Sequence, residues 1–211
     1  VQAGETQLAL EEFESAVSLD PRYGEAWANL GWLHLGRGDV ERSIDMCRRA
    51  LGIDPSLIEA TCTLAAALIL KHERGGQGPA ESAAADEAIS LCRRLTALRP
   101  GLALAYNLMG MAYFSKGAVP EAEAALLKSL EIEPGYLEAR FNLSCLYFES
   151  GSTAKAAQHL SKVIERAPDS VLGTNILGRA LGKSRDVLFL TLGRGERSTL
   201  GEQARTALEA E

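Results

Sequence analysis

Three histidines, four cysteines and one glycine-rich phrase are the residues of this chain from which chemistry would most readily be built. A zinc site needs paired cysteines or a Cys/His cluster at ligand spacing. Cys47, Cys62, Cys92 and Cys145 form no C-x-x-C pair, and His34, His72 and His159 are scattered among them. Each cysteine sits in a helical pattern where a small apolar residue fits, so buried free thiols are expected, as suits a reducing compartment such as the cytoplasm. His72 and His159 fall on expected turn or outer helix surfaces. The carboxylates read as helix faces and first-turn charges rather than as a catalytic pair. The phrase AWANLGWLHLGRGD, residues 26–39, carries Gly31, Gly36 and Gly38. A phosphate loop would follow a strand, whereas these glycines follow helical spacing. The expectation is a protein without catalytic residues, cofactor or metal, and so not an enzyme.

Composition narrows the remaining classes. The chain has 211 residues, 46% hydrophobic and 24% charged, which fits a globular domain with a sizeable core. Aromatics are only 6%, while alanine, leucine and glycine abound, favouring helices packed through small side chains. A net charge of −6 with interspersed signs argues against nucleic acid as a partner. No apolar run reaches the roughly 20 residues of a membrane-spanning helix, so no membrane insertion is expected.

The elements that position these residues repeat. Pro21, Pro55, Pro100, Pro134 and Pro168 are separated by 34, 45, 34 and 34 residues. Seventeen residues before four of them stands a glycine (Gly4, Gly38, Gly117, Gly151), and twelve before each a small residue (Ala9, Ser43, Ala88, Ala122, Ala156). Proline stops a helix, and glycine permits the left-handed turn that ends one. Each unit therefore reads as helix, tight turn, helix, stop.

This pattern resembles the tetratricopeptide repeat (TPR), with its 34-residue period and W-x2-L-G-x2-Y, A-x3-F, P signature. Trp27, Leu30, Gly31 and His34, then Ser43, Cys47, Ala50 and Pro55, occupy the signature positions. So do Tyr106, Met109, Gly110 and Tyr113 with Ala122 to Pro134, and Arg140, Leu143, Ser144 and Tyr147 with Ala156 to Pro168. His34 stands at an aromatic position and reads as packing. The resemblance implies an all-α, right-handed superhelical α-solenoid over residues 1–183. It comprises half a repeat, four full repeats and one partial repeat. Leu8 to Asp20 reads as a second helix whose first helix is missing, which points to truncation. The third unit, residues 58–100, carries an 11-residue insertion around GGQGP, expected as a longer hairpin. After Pro168, NILGRALGK still reads as a first helix, with no second-helix phrase behind it. Residues 184–211 are expected as a capping helix or a partly disordered tail.

In TPR proteins the stripe of Trp27 and Tyr106 packs the core, and the opposite side of each first helix lines a concave groove for partners. The resemblance therefore implies a groove of Asn29, Trp32, Thr63, Asn107, Met111, Phe141, Asn142 and Cys145. Its apolar members have two readings, gap fillers between repeats or contacts for a bound peptide, the former stronger for Leu35, Phe114 and Phe148. Asparagine can both donate to and accept from an extended peptide backbone. AWANLG looks like the TPR arm of O-GlcNAc transferases, whose asparagines grip a substrate backbone, although Thr63, Leu108 and Ile176 interrupt the ladder here. The basic clamp that grips chaperone C-termini is absent, since Ala28, Trp32, Cys62 and Ala66 stand at its positions. The expected role is a scaffold that binds a peptide segment or helix of a partner protein. The alternatives are the TPR arm of a larger enzyme or a component of a bacterial secretion or pilus machine. Val187, Leu188, Phe189 and Leu190 in the C-terminal segment, where not covered within the chain, predict a homodimer or docking by another chain.

Overall fold

The computed structural model describes residues 2–75 and 79–166, and every described element is an α-helix. The helices are α1 (Gln2–Leu19), α2 (Gly24–Gly36), α3 (Val40–Ile53), α4 (Ile58–Gly75), α5 (Pro79–Leu98), α6 (Ala103–Ser115), α7 (Val119–Ile132), α8 (Leu137–Glu149) and α9 (Thr153–Arg166). They pack in sequential pairs within two compact units, Val1–Ala118 and Val119–Glu211. The expectations for residues 167–211, including the C-terminal cap and the Val187–Leu190 dimer patch, lie outside the described residues.

The turns form where the backbone demands were read. Gly38, Gly117 and Gly151 hold φ of 81°, 74° and 78°, a region that L side chains rarely enter. Gly4 differs, because α1 already begins at Gln2 and passes through it. One glycine costs a helix only about 1 kcal/mol, and the run of good helix formers behind it carries the helix on.

The insertion is absorbed by helix lengthening. α4 has 18 residues against 13 in α2, and α5 has 20 against 14 in α3. The eleven added residues are thus five in one helix and six in the other, while three residues connect the two helices in both pairs. The extension is anchored on both sides within its unit. Arg74 Nη1 donates to the Gly38 carbonyl at 2.9 Å, and His72 Nε2 meets the Ser115 carbonyl at 3.0 Å. His72, expected on an outer surface, is therefore half-buried and ties α4 to the end of α6.

The core of the first unit follows the small-residue register. Ala26, Ala65, Ala88 and Ala105 have no exposed surface, so neighbouring helices approach closely. The closest approach is at Gly31. A Cβ there would stand 2.5 Å from Cys47 Sγ and 3.3 Å from the Ser43 carbonyl, so only glycine fits. In the same unit α2 and α4, and then α4 and α6, lie against each other.

Candidate functional site

The side of α2, α4 and α6 turned away from α3 and α5 is the candidate surface of the first unit. On α2, Asn29 is exposed and Trp32 retains 64% of its surface, the largest exposed aromatic among the described residues. Trp27 sits five residues earlier on the opposite side and behaves as a core anchor. Its indole N–H donates to the Pro21 carbonyl at 3.0 Å, the Arg49 guanidinium lies 4.9 Å over its ring, and its body packs on Leu10, Ala26 and Leu30. One helix thus presents one tryptophan inward and one outward.

The groove positions predicted from sequence are not equivalent. Thr63 on α4 and Asn107 on α6 are buried, at 8% and 4% exposure, which leaves little of either for a ligand to touch. Met111 is half-buried and packs on the core of the unit, as does Leu35. In the second unit, Phe141, Asn142 and Cys145 are all half-buried on α8. The structure therefore brings Asn29 and Trp32 to the surface of the first unit, with Met111 partly beneath it.

The cysteines are free thiols, with Cys47, Cys62 and Cys92 buried and Cys145 half-buried. Burial pushes Cys47 and Cys62 up to about 11 and Cys92 to about 12. They stay protonated at neutral pH, so none has the thiolate character a nucleophile or metal ligand needs. Among the described residues no cluster of His, Cys, Asp or Glu could hold a metal ion, and no helix is long and apolar enough to cross a membrane. His34 is buried, with Nδ1 3.4 Å from Asp39 Oδ2, and closes the turn between α2 and α3.

His159 departs from its expected outer position. It is half-buried on α9, 5.6 Å from the Tyr147 ring, and its Nδ1 is buried with no hydrogen-bond partner. Desolvation, then Arg140 and then Lys162, hold its pKa below the ordinary value. Tyr147 donates to Glu123 at 2.6 Å, and burial, with that carboxylate adding to it, pushes the phenol up to about 12.

A second feature escaped the sequence reading altogether. Arg37 reaches Gln7 at 3.2 Å, Lys71 reaches Glu41 at 3.0 Å, and Lys116 pairs with Asp86. Each partner lies thirty residues back. The three pairs share one repeat register, a cation on a first helix or at its C-cap latched to the preceding second helix. A cation recurring thirty residues after a polar residue was the available signal.

Comparison with known proteins agrees with this geometry. Sequence profiles of the tetratricopeptide repeat match residues 1–58, 103–136 and 138–170. No curated protein sequence matches the chain. Among solved structures, TTC0263, a thermophilic TPR protein of Thermus thermophilus, aligns with a TM-score of 0.75 at 24% identity, over 85% of this chain and 92% of that one. PilW, a widely conserved type IV pilus biogenesis factor, aligns at 0.69 and 19% identity over 100% and 87%. YrrB, a TPR protein with an unusual peptide-binding site, aligns at 0.57 and 21% identity over 83% and 84%. At these identities the likeness is one of fold. The helix pairs, the positive-φ glycines, the glycine at the helix crossing and the three profile matches lead to one conclusion: the chain belongs to the tetratricopeptide repeat family.

Proposed function

We propose that this protein is a non-catalytic scaffold that binds an extended peptide segment of a partner protein on the α2–α4–α6 face. The observation that carries the reading is Trp32, a tryptophan 64% exposed beside the exposed amide of Asn29. A large exposed aromatic is a natural anchor for a partner, and an adjacent amide can bond a peptide backbone whatever its side chains. Met111 adds an adaptable apolar contact on the same face. Phe141, Asn142 and Cys145 form the corresponding set on α8 of the second unit. The peptide-binding site of YrrB illustrates what this fold can hold.

The test is selection of peptides from a random display library on the intact chain. Binding is then read from Trp32 emission in a Trp27→Phe background, since the chain has two tryptophans. Selected peptides are expected to shift the emission to shorter wavelength. Trp32→Ala with Asn29→Ala, measured beside the parent by calorimetry because the variant lacks the Trp32 reporter, is expected to weaken them by at least about tenfold. Peptides that bind the double variant as tightly as the parent would refute the proposed face.

A further inference from the structure

The α8–α9 repeat carries basic groups at addresses where the full repeats before it carry no charge. The address of Arg140 holds Trp27, Thr61 and Tyr106 in those repeats, and that of Arg166 holds Ile53, Leu98 and Ile132. The address of His159 holds Met46, Leu91 and Ala125. Lys162 alone continues a basic series, Arg49, Arg94 and Lys128. The helix pair itself needs none of the three new groups, because the same fold forms without them.

Packing draws the four basic side chains together within the second unit. Arg140 Nη2 donates to the Pro134 carbonyl at 2.6 Å, and Arg166 Nη1 lies 3.2 Å from where a Cβ on Gly135 would stand. Two guanidinium groups thus converge on consecutive residues of the α7–α8 connection. In the α2–α3 pair, the address of Lys162 holds Arg49, 4.9 Å over the Trp27 ring. Here the ring is replaced by Arg140, so an attraction between cation and ring gives way to two like charges. Both of those charges act on His159.

Among the described residues none of the four makes an ion pair. Glu123 on α7 is engaged by Tyr147 of α8, over whose ring Lys155 of α9 lies. Arg140 Nε and His159 Nδ1 are buried without a hydrogen-bond partner, a state that folded proteins seldom leave uncompensated. Lys162 and Arg166 are exposed, so the cluster is open to solvent. Guanidinium forks match the paired oxygens of phosphate and sulfate. The chain as a whole has a net charge of −6, so an anion would be held by this local field and not by overall attraction.

We propose that Arg140, Lys162 and Arg166 form a binding site for a small tetrahedral oxyanion, phosphate or sulfate, beside the α7–α8 connection. His159 links the site to pH. An anion there favours the charged imidazole that Arg140 and Lys162 oppose, so anion and proton strengthen each other's binding. The site is independent of the peptide reading above, because Arg140 shares the address of Trp27, on the side of the first helix opposite the peptide face.

The experiment is an NMR titration of the full chain with sodium sulfate, set against sodium chloride at matched ionic strength. Sulfate is the probe because, unlike phosphate, it does not titrate near neutral pH. The histidine ring signals are read, and the one lost in His159→Gln is assigned to His159. That signal is expected to move saturably with sulfate and to stay in place with chloride. Sulfate is expected to bind at least about threefold more tightly at about pH 5.5 than at about pH 7.5. Arg140→Tyr and Arg166→Ile install residues that Tyr106 and Ile53 already place at those addresses, so both are expected to fold, as circular dichroism checks. Each is expected to weaken sulfate by at least about fivefold. If Arg140→Tyr does not fold, Arg166→Ile, at an exposed residue, decides alone. A His159 signal that moves as much in chloride overturns the proposal, as does a sulfate affinity that the folded variants leave unchanged. Equal affinity at the two pH values overturns the link to His159.

Discussion

The layer α1–α3 and the layer α7–α9 occupy the same addresses in two repeats and are packed in different ways. In the first, Leu10, Trp27 and Met46 belong to one apolar cluster, and the fourth address holds the buried His34. In the second, the same addresses hold Glu123, Arg140, Tyr147 and His159. One backbone connection is common to both. Trp27 donates to the Pro21 carbonyl at 3.0 Å, and Arg140 donates to the Pro134 carbonyl at 2.6 Å. An indole and a guanidinium thus do the same positional job, each tying its helix to the proline that closes the preceding repeat. Beyond that bond, the first layer fills these addresses with apolar area, and the second with a hydrogen bond from Tyr147 to Glu123 and a ring contact between Tyr147 and His159. The fold specifies an address and a volume there, and leaves the chemistry free.

The largest expected effect comes from deleting the shared anchor. Trp27→Ala should destabilise the first unit by about 3 kcal/mol, since it removes a large side chain from a close-packed layer. Arg140→Ala should destabilise the second by about 1 kcal/mol, the scale of one hydrogen bond. Urea unfolding, with hydrogen exchange assigning the loss to α1–α3 or α8–α9, measures both. Equal losses would mean that the two layers are held by the same kind of force after all.

The helix crossing gives the next contrast. Gly31→Ala puts a methyl 2.5 Å from Cys47 Sγ and should cost about 2 kcal/mol, because the neighbour is held in a packed core. Ser144 holds the same address on α8, is fully buried, and bonds the Phe141 carbonyl of its own helix. The α8–α9 crossing already admits a Cβ, so Ser144→Ala should stay within about 1 kcal/mol. Thermal melts of the two variants against the parent check this.

Much of this architecture was legible in the residues because it rests on local backbone demands. A proline ends its helix wherever it stands, and Gly38, Gly117 and Gly151 mark turns that other residues resist. The groove was less legible, because exposure depends on neighbours that the repeat address does not specify. Asn29 and Thr63 share an address, yet Asn29 is exposed and Thr63 is buried. α4 has a first helix packed on either side, α2 and α6, while α2 has α4 alone among the described first helices. The polar layer at His159 was illegible for a related reason. Its four members lie on three helices, and only packing brings them together.

Acid titration separates the layers more finely. The depressed pKa of His159 means that the unfolded chain binds a proton which the folded one resists, so its contribution is present above about pH 6.5 and is lost as pH falls below it. The groups around it give no relief. Arg140 and Tyr147 come from α8, and Lys162 from α9; Glu123 on α7 is engaged by Tyr147, over whose ring Lys155 lies. Protection of α8 and α9 from hydrogen exchange should therefore fall as pH drops below 6.5 relative to α2 and α3, and His159→Met should flatten that fall. Asp54, held down by its bonds to Ser56, acts only below its ordinary 3.8. Alkali does not discriminate, because Cys47, Cys62 and Cys92 in one unit and Tyr147 in the other are all raised, and all lose their contribution as pH climbs from the ordinary 9.0 of a thiol or 10.0 of a phenol through about 11 to 12.

The smallest effect concerns the latches. Arg37–Gln7, Lys71–Glu41 and Lys116–Asp86 tie successive repeats of the first unit. At that register the second unit has Ser150 and Pro120. Ser150 turns its hydroxyl back to the Leu146 carbonyl of its own helix, at 2.7 Å, and Pro120 has no charge to offer. Partly exposed ion pairs contribute roughly 0.2–1 kcal/mol and are screened by salt. Lys71→Met should thus lower the stability of the first unit by about 0.5 kcal/mol at low salt and by less at high salt. Writing the latch into the other unit, as Pro120→Glu with Ser150→Lys, should raise its stability by a similar amount under the same conditions. A gain that survives high salt would instead come from replacing proline in the first turn of α7, which Pro120→Glu alone would reproduce. Only a gain that needs both substitutions and fades with salt would assign to the latch a share of the difference between the two units.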